Sequence, residues 1–186
     1  MSSIEEIVKQ ANDYFYNAEY KKALSLYYQI LSEDLENSGS YYNIGLAYEM
    51  LNEFELAVSY YKKSVRINNN IRSINNLARI YIDVIKNHDI AKEYLDFAIK
   101  TAPNDAEAYN LYGNLSCIEN DLKLAENYFK KSIFLDENFF KNYYDIANVY
   151  YLQKDKENAH NMINKCISLK PDFLPAKELA EKINSL

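Results

Sequence analysis

The sequence predicts an all-α fold, an α-solenoid of antiparallel helix pairs with about eleven helices. Three observations predict it. Windows with the same punctuation recur roughly every 34 residues along the 186-residue chain, which marks a repeat array. Within the windows, apolar residues fall at three- and four-residue steps, the period of one helix face. Only three glycines and three prolines leave little material for hairpins or long loops.

Aligning the windows on their small residue gives five repeats. The eighth place holds Ala11, Gly45, Ala78, Gly113 and Ala147. The eleventh holds Tyr14, Tyr48, Tyr81, Ser116 and Tyr150. Alanine fills the twentieth every time, as Ala23, Ala57, Ala91, Ala125 and Ala159. Four residues further stand Tyr27, Tyr61, Leu95, Phe129 and Ile163. Small residues at the eighth and twentieth places let paired helices approach closely, where a bulky side chain would overpack the contact by about 1–3 kcal/mol.

Taken in order, the elements have local reasons. Ser3 with Glu6 makes a capping box at the first helix start. In the second repeat Tyr41, Ile44, Gly45 and Tyr48 share one helix face, and after a break at Asn52-Glu53 so do Ala57, Tyr60, Tyr61 and Ser64. The run Asn68–Asn70 is a short turn between repeats. The third repeat carries one extra residue before its alanine, so its internal turn, around Lys86–Asp89, should be longer. Pro103-Asn104-Asp105 ends one helix and offers Asp105 as the next N-cap. Pro171-Asp172 does the same later, and Pro175 suits the first turn of a last helix, Pro175–Asn184. That helix has Leu179, Ala180 and Ile183 on one side and Lys177, Glu178, Glu181 and Lys182 largely on the other, as a solenoid cap requires. The expectation is a single domain over 1–186, with repeats at about 4–37, 38–70, 71–105, 106–139 and 140–173 and a cap at 174–186.

These residues resemble the tetratricopeptide repeat, whose pattern is a large residue, Leu-Gly, Tyr, Ala, Phe and Pro at these offsets. The resemblance runs from about Ile4 to Phe173. It departs at Leu35 and Asn69, which replace the closing proline present as Pro103 and Pro171. Ser116 replaces an aromatic, and Gln10 stands where Leu is usual. The resemblance implies a right-handed superhelix with the first helix of each pair lining a concave groove. It also implies which residues face that groove: Glu5, Val8, Lys9, Asn12, Phe15 and Tyr16 from the first pair, and Gly39, Tyr42, Asn43, Leu46, Glu49 and Met50 from the second. The third pair adds Arg72, Asn75, Asn76, Arg79, Ile82 and Asp83, and the fourth Glu107, Asn110, Leu111, Asn114, Cys117 and Ile118. The fifth supplies Lys141, Tyr144, Asp145, Asn148, Tyr151 and Leu152.

Two features of that face point to a peptide ligand. Asparagine recurs in every pair, and a side-chain amide offers both donor and acceptor to a peptide backbone. The competing explanation is an AT-rich coding genome, which also accounts for 19 tyrosines and no tryptophan. Mid-helix asparagine is unfavourable by propensity, so Asn12, Asn43, Asn75, Asn110, Asn114 and Asn148 are harder to attribute to composition than turn asparagines. Arg72 and Arg79, two turns apart on one helix, could hold a carboxylate; pairing with Asp83 or Glu107 is the alternative. Asn12, Asn43 and Arg72 also resemble part of the clamp by which some tetratricopeptide co-chaperones hold an acidic C-terminal tail. Val8 and Asn76 stand where that clamp has cations. Most tyrosines, including Tyr14, Tyr48, Tyr61, Tyr81 and Tyr150, are expected in the core, while Tyr16, Tyr42, Tyr144 and Tyr151 face the groove.

Charge and chemistry exclude other classes. A formal charge of −6 without a basic stripe argues against nucleic-acid binding. Cys117 and Cys166 read as buried free thiols. His88, placed in the expanded turn, and His160 have no acidic or thiol partner at ligand spacing, and phosphate-loop, dinucleotide and nucleophile-elbow motifs are absent. Neither a catalytic residue nor a metal or cofactor is expected. The opening MSSIEEIVKQ lacks the basic start and apolar core of a signal peptide, and no apolar run approaches the ~20 residues that span a bilayer. A chain that starts at Met1 and closes with a cap is expected to stand alone, in the cytoplasm. The expected function is an adaptor that holds a partner's extended peptide or helix in its groove, with Asn12, Tyr16, Tyr42, Asn43, Arg72, Asn75, Asn76, Arg79, Asn110, Asn114, Tyr144 and Asn148 as the binding residues. The alternatives are a self-assembling scaffold, encouraged by the apolar Ile4, Ile7 and Val8 of the first helix, and the acidic-tail clamp.

Overall fold

Most helix starts fall where a side chain satisfies orphan backbone groups of the helix terminus. Among the described residues, those after Glu19, Glu53, Phe139 and Phe173 have no side-chain cap, so the cap expected at Pro171-Asp172 is not formed. The structure, a computed structural model, describes residues 3–186; Met1 and Ser2, the first two positions of the expected domain, lie outside the described residues. Ser3 forms the capping box with Glu6 and opens α1 (Ile4–Tyr16). There follow α2 (Tyr20–Glu33), α3 (Ser38–Met50), α4 (Phe54–Asn68), α5 (Ile71–Asp83) and α6 (His88–Thr101). After these come α7 (Ala106–Ile118), α8 (Leu122–Leu135), α9 (Phe140–Leu152), α10 (Lys156–Leu169) and α11 (Leu174–Asn184). Asn37, Asn70, Asp105, Asp121 and Asp155 cap five of these helices through their side chains. Pro175 sits in the first turn of α11.

The described chain divides into two compact units, one ending at Phe97 and the other spanning Ala98–Leu186. In the first, α1 packs on α2, α2 on α3, α3 on α4 and α4 on α5. In the second, α7 packs on α8, α8 on α9, α9 on α10 and α10 on α11. The alanines of the twentieth place are all buried, as are the residues four places on. Leu179 and Ile183 of α11 are buried, and Lys177, Glu178, Glu181 and Asn184 are exposed.

Inside a repeat, the eighth place sets the approach of first helix to second. A Cβ on Gly45 would lie 2.6 Å from the Tyr61 ring, and one on Gly113 would lie 2.5 Å from the Phe129 ring. Glycine therefore accompanies an aromatic, whereas Ala78 accompanies Leu95 and Ala147 accompanies Ile163. The first repeat keeps both Ala11 and Tyr27. There the phenol is tethered to Asn12 (2.8 Å), about one turn earlier on the first helix than the Glu49 that holds Tyr61 (2.9 Å). The two glycine repeats share a second device. The buried hydroxyls of Ser64 and Ser132 donate to the carbonyls of Ser38 and Ala106, tying the end of each second helix to the start of its partner.

The turn within each repeat needs a left-handed residue. Ala18, Asn52, Lys86, Asn120 and Lys154 have φ of 59–64°. The following amide reaches back to the carbonyl of the eleventh place at 2.9 Å, as in Glu53 to Tyr48 and Asp155 to Tyr150. In the third repeat Asn87 makes this bond to Tyr81 from one residue further on, which absorbs the extra residue. The expected Lys86–Asp89 turn is thereby corrected to residues 84–87. The Asn87 side chain accepts from the Ile90 amide (3.2 Å), so His88 opens α6 and does not stand in the turn.

Tyrosine abundance has a structural use. Tyr48 stacks on Tyr60, Tyr81 on Tyr94 and Tyr112 on Tyr128, joining first to second helix in three successive repeats. Of the tyrosines expected in the core, Tyr61, Tyr81 and Tyr150 are buried, while Tyr14 and Tyr48 are half-buried at the edge. Both cysteines are free; Cys166 is buried and Cys117 half-buried, and burial pushes each thiol up to about 11.

Gly113→Ala should lose about 1–2 kcal/mol in urea denaturation despite alanine's better helix propensity, because the Phe129 ring must move. Adding Phe129→Leu, the combination seen at Ala78 and Leu95, should recover part of that loss; strict additivity of the two changes would count against the packing rule. Lys154→Gly should raise stability by about 0.5–1 kcal/mol by relieving the left-handed strain, and a neutral result would show the strain to be absent.

Candidate functional site

The first helices of the first three repeats together build a cavity of about 290 Å³. Asn12, Phe15 and Tyr16 reach it from α1, Tyr42, Asn43 and Leu46 from α3, and Arg72 from α5, with Tyr27 of α2 behind. Each polar residue is placed by its neighbour in sequence. Asn12 follows the buried Ala11 and Asn43 precedes the buried Ile44, so packing of those residues fixes where the amides project. The Asn12 Oδ1 accepts from the Tyr27 hydroxyl, whose pKa burial pushes up to about 12, with the charge of Tyr16 adding to the shift. The phenol therefore stays a donor, and the Asn12 Nδ2 remains for another acceptor. Arg72 is the second residue of α5, at the positive end of that helix; it is exposed and forms no ion pair among the described residues. Tyr16, at 83% exposure, stands at the rim.

Arg79 has a different fate. Its Nη2 lies 2.7 Å from the Glu49 Oε1 and 3.1 Å from the Asn76 Oδ1, while the Glu49 Oε2 accepts from the buried Tyr61 hydroxyl. Glu49 is 8% and Arg79 33% exposed. Burial alone would lower the Arg79 pKa, but the charge and hydrogen bond of Glu49 outweigh it and the guanidinium is held more firmly protonated. The partner is thus Glu49, not the Asp83 or Glu107 that the sequence suggested; Asp83 adds only a smaller attraction. The sequence missed this because the partner lies 30 residues away on another repeat.

The remaining expected binding residues are mostly turned inward. Asn75 and Asn76 are buried in α5. In the second unit the Asn110 Nδ2 donates to the Asn142 Oδ1 (2.9 Å) and the Asp145 Oδ2 (2.8 Å), and its Oδ1 accepts from the Asn114 Nδ2 (3.1 Å). The Asn148 Nδ2 bonds the Tyr144 carbonyl, and the Tyr144 ring packs edge-on against Phe173 at 5.2 Å. Asn110 thus links Asn114 on its own helix to Asn142 and Asp145 of α9, while the buried Asn142 Nδ2 is left without a partner among the described residues. Asn142, fully buried, was not singled out from the sequence, yet a signal existed. The same place in the second, third and fourth repeats holds the small, buried Ser40, Ser73 and Ala108, so an amide there had to find a buried partner.

Five of the twelve expected residues, Asn12, Tyr16, Tyr42, Asn43 and Arg72, are therefore gathered at one cavity. The arrangement can hydrogen-bond a peptide backbone through two amides, attract one anion through Arg72 and pack an apolar side chain on Phe15 and Leu46. Among the described residues no cluster of three or more histidine, cysteine or carboxylate groups could hold a metal, and no helix is long and apolar enough to cross a membrane.

Comparison with known proteins agrees with this architecture. The tetratricopeptide repeat family pattern matches residues 39–70 and again residues 140–173. Photosystem I assembly protein Ycf3 of Rippkaea orientalis is 36% identical over 112 residues, covering 50% of this chain; the match spans 65% of the relative's own length. The crystal structure of PilW, a type IV pilus biogenesis factor, superposes with a TM-score of 0.81 at 19% identity, covering 97% of this chain and 86% of PilW. That of YrrB, described as a tetratricopeptide protein with an unusual peptide-binding site, has a TM-score of 0.64 at 23% identity and covers 94% of this chain and 90% of YrrB. At these identities the two structures show the shared fold.

The Asn110 network makes one pH-dependent forecast. Burial pushes the Asp145 carboxyl up from 3.8 to about 6, opposed by the Asn110 hydrogen bond and the Lys141 charge. A carboxyl with a raised folded pKa stabilises the fold while protonated, so its contribution is present below about pH 4 and lost as pH rises through about 6. Asp145→Asn should accordingly stabilise the protein by about 1–2 kcal/mol near pH 7.5 and by little near pH 4. Urea titrations at the two pH values check this; an equal effect at both would show that Asp145 titrates normally.

Proposed function

The chain is a tetratricopeptide-repeat protein, and from that premise we propose that it is a cytoplasmic protein-interaction adaptor whose cavity on α1, α3 and α5 holds an extended peptide segment of a partner. The observation that carries this reading is the convergence of Asn12, Asn43 and Arg72 over Phe15, Tyr42 and Leu46 at one cavity. Amides pair with main-chain groups whatever the peptide sequence, and an unpaired guanidinium selects one carboxylate. The repeat family supports an interaction or assembly role in general and is typically non-catalytic. Ycf3 is named as an assembly protein and YrrB is described with a peptide-binding site, and both uses fit a module that acts by holding another chain.

The preferred segment carries one acidic group, as a side chain or a C-terminus, next to an apolar side chain for the aromatic wall. A self-assembling scaffold draws less support. Ile7 is buried and Val8 packs into the core of its own unit, which leaves Ile4 as the exposed apolar residue of that trio. The acidic-tail clamp draws less support too, since Val8 and Asn76 supply no charge where it needs cations and Arg79 is neutralised by Glu49.

A peptide array probed with the purified protein should retain acidic-apolar sequences, and Arg72→Gln should weaken the best of them by about 10–100-fold in fluorescence anisotropy, the worth of one charge-assisted bond. Helicity by circular dichroism should not change. Retained peptides whose affinity is indifferent to both Arg72→Gln and Asn43→Ala would refute the site.

A further inference from the structure

Arg72 and Arg79 lie on one helix seven residues apart, about 10.5 Å along its axis. A peptide in the polyproline II conformation, with three residues per turn and a rise of ~3.1 Å, brings side chains three places apart to one face about 9 Å apart, so two acidic groups at that spacing would match both guanidiniums. Only one of the two is open. Glu49 reaches Arg79 from the end of α3, where Tyr61 steadies its other oxygen and Asn76 shares the guanidinium. Glu49 stands at a first-helix place that the repeat resemblance turns toward the ligand, and its carboxylate takes up the bond an incoming acid would make.

We infer that Glu49 is an internal carboxylate ligand of Arg79, which blocks a second anion seat and limits the site to partners presenting a single acidic group at Arg72. The inference rests on the peptide-binding reading above and names the residue that sets its specificity. Desolvation strengthens the block. Glu49 is nearly buried, so displacing it would require a peptide acid to replace two hydrogen bonds and to move a charge already paired in a low-dielectric setting. Arg72, exposed and without an ion pair among the described residues, has no such competitor.

The chain has three arginines, Arg66, Arg72 and Arg79, which permits a test that needs no peptide. Phenylglyoxal modification of the folded wild-type protein, mapped by mass spectrometry, should label Arg66 and Arg72 rapidly and spare Arg79. In Glu49→Gln, Arg79 should be labelled as well. Labelling of Arg79 at the rate of Arg72 in the wild type would overturn the inference without any variant having to fold. The binding arm uses two short peptides that differ only in a second glutamate three places after the first. Wild-type protein should bind them alike, and Glu49→Gln should favour the doubly acidic peptide by about tenfold. Arg79→Gln should leave the singly acidic peptide's affinity unchanged. A wild-type preference for the doubly acidic peptide, or a loss of singly acidic binding in Arg79→Gln, would also overturn it. Absence of binding by either peptide to any form would instead remove the peptide-binding reading, while the labelling pattern still decides whether Glu49 occupies Arg79.

Discussion

The close approach of the two helices in each repeat is the constraint on which the rest depends. With no side chain at Gly45 and Gly113, the rings of Tyr61 and Phe129 lie against bare backbone. Where the eighth place carries a methyl group, the opposing residue shrinks to Leu95 or Ile163, or its ring is drawn aside, as Tyr27 is by Asn12. Interiors at crystal-like density leave no slack for both to be large. Once that distance is set, a serine hydroxyl can reach the partner helix's first carbonyl, and tyrosines on the two helices can stack.

The same spacing decides what the first helices can offer outward. Residues adjacent to the packing places are carried to fixed positions, so Asn12, Asn43 and Arg72 meet although they come from three repeats. The turns contribute through their left-handed residues, whose back-bond to the eleventh place ends every first helix at an equivalent level.

Two polar networks hold candidate residues that do not line the cavity. Glu49, Arg79, Tyr61 and Asn76 form one, and Asn110, Asn114, Asn142 and Asp145 the other. Buried amides and charges must be paired, and each network draws its partners from a different repeat. The recurrence of asparagine on the first helices thus has two uses in one chain. Asn12 and Asn43 reach a cavity, whereas Asn110 and Asn142 bind each other.

From the sequence alone the helices, their pairing and the packing places were legible, down to the Ser3–Glu6 capping box, the Asp105 cap and the extra residue of the third repeat. Those features obey a local period and local capping chemistry, so a few neighbouring residues contain the information. The Lys86–Asp89 turn was misplaced by two residues because Asn87 chose to cap the following helix. Tertiary structure alone decided which amide or guanidinium stays open, since Arg79 is claimed by a carboxylate 30 residues away and Asn110 by one 35 residues away. Such partners meet only after the repeats have stacked. Whether a polar side chain serves a ligand or its own fold is a question of distance in space, which periodicity along the chain does not encode.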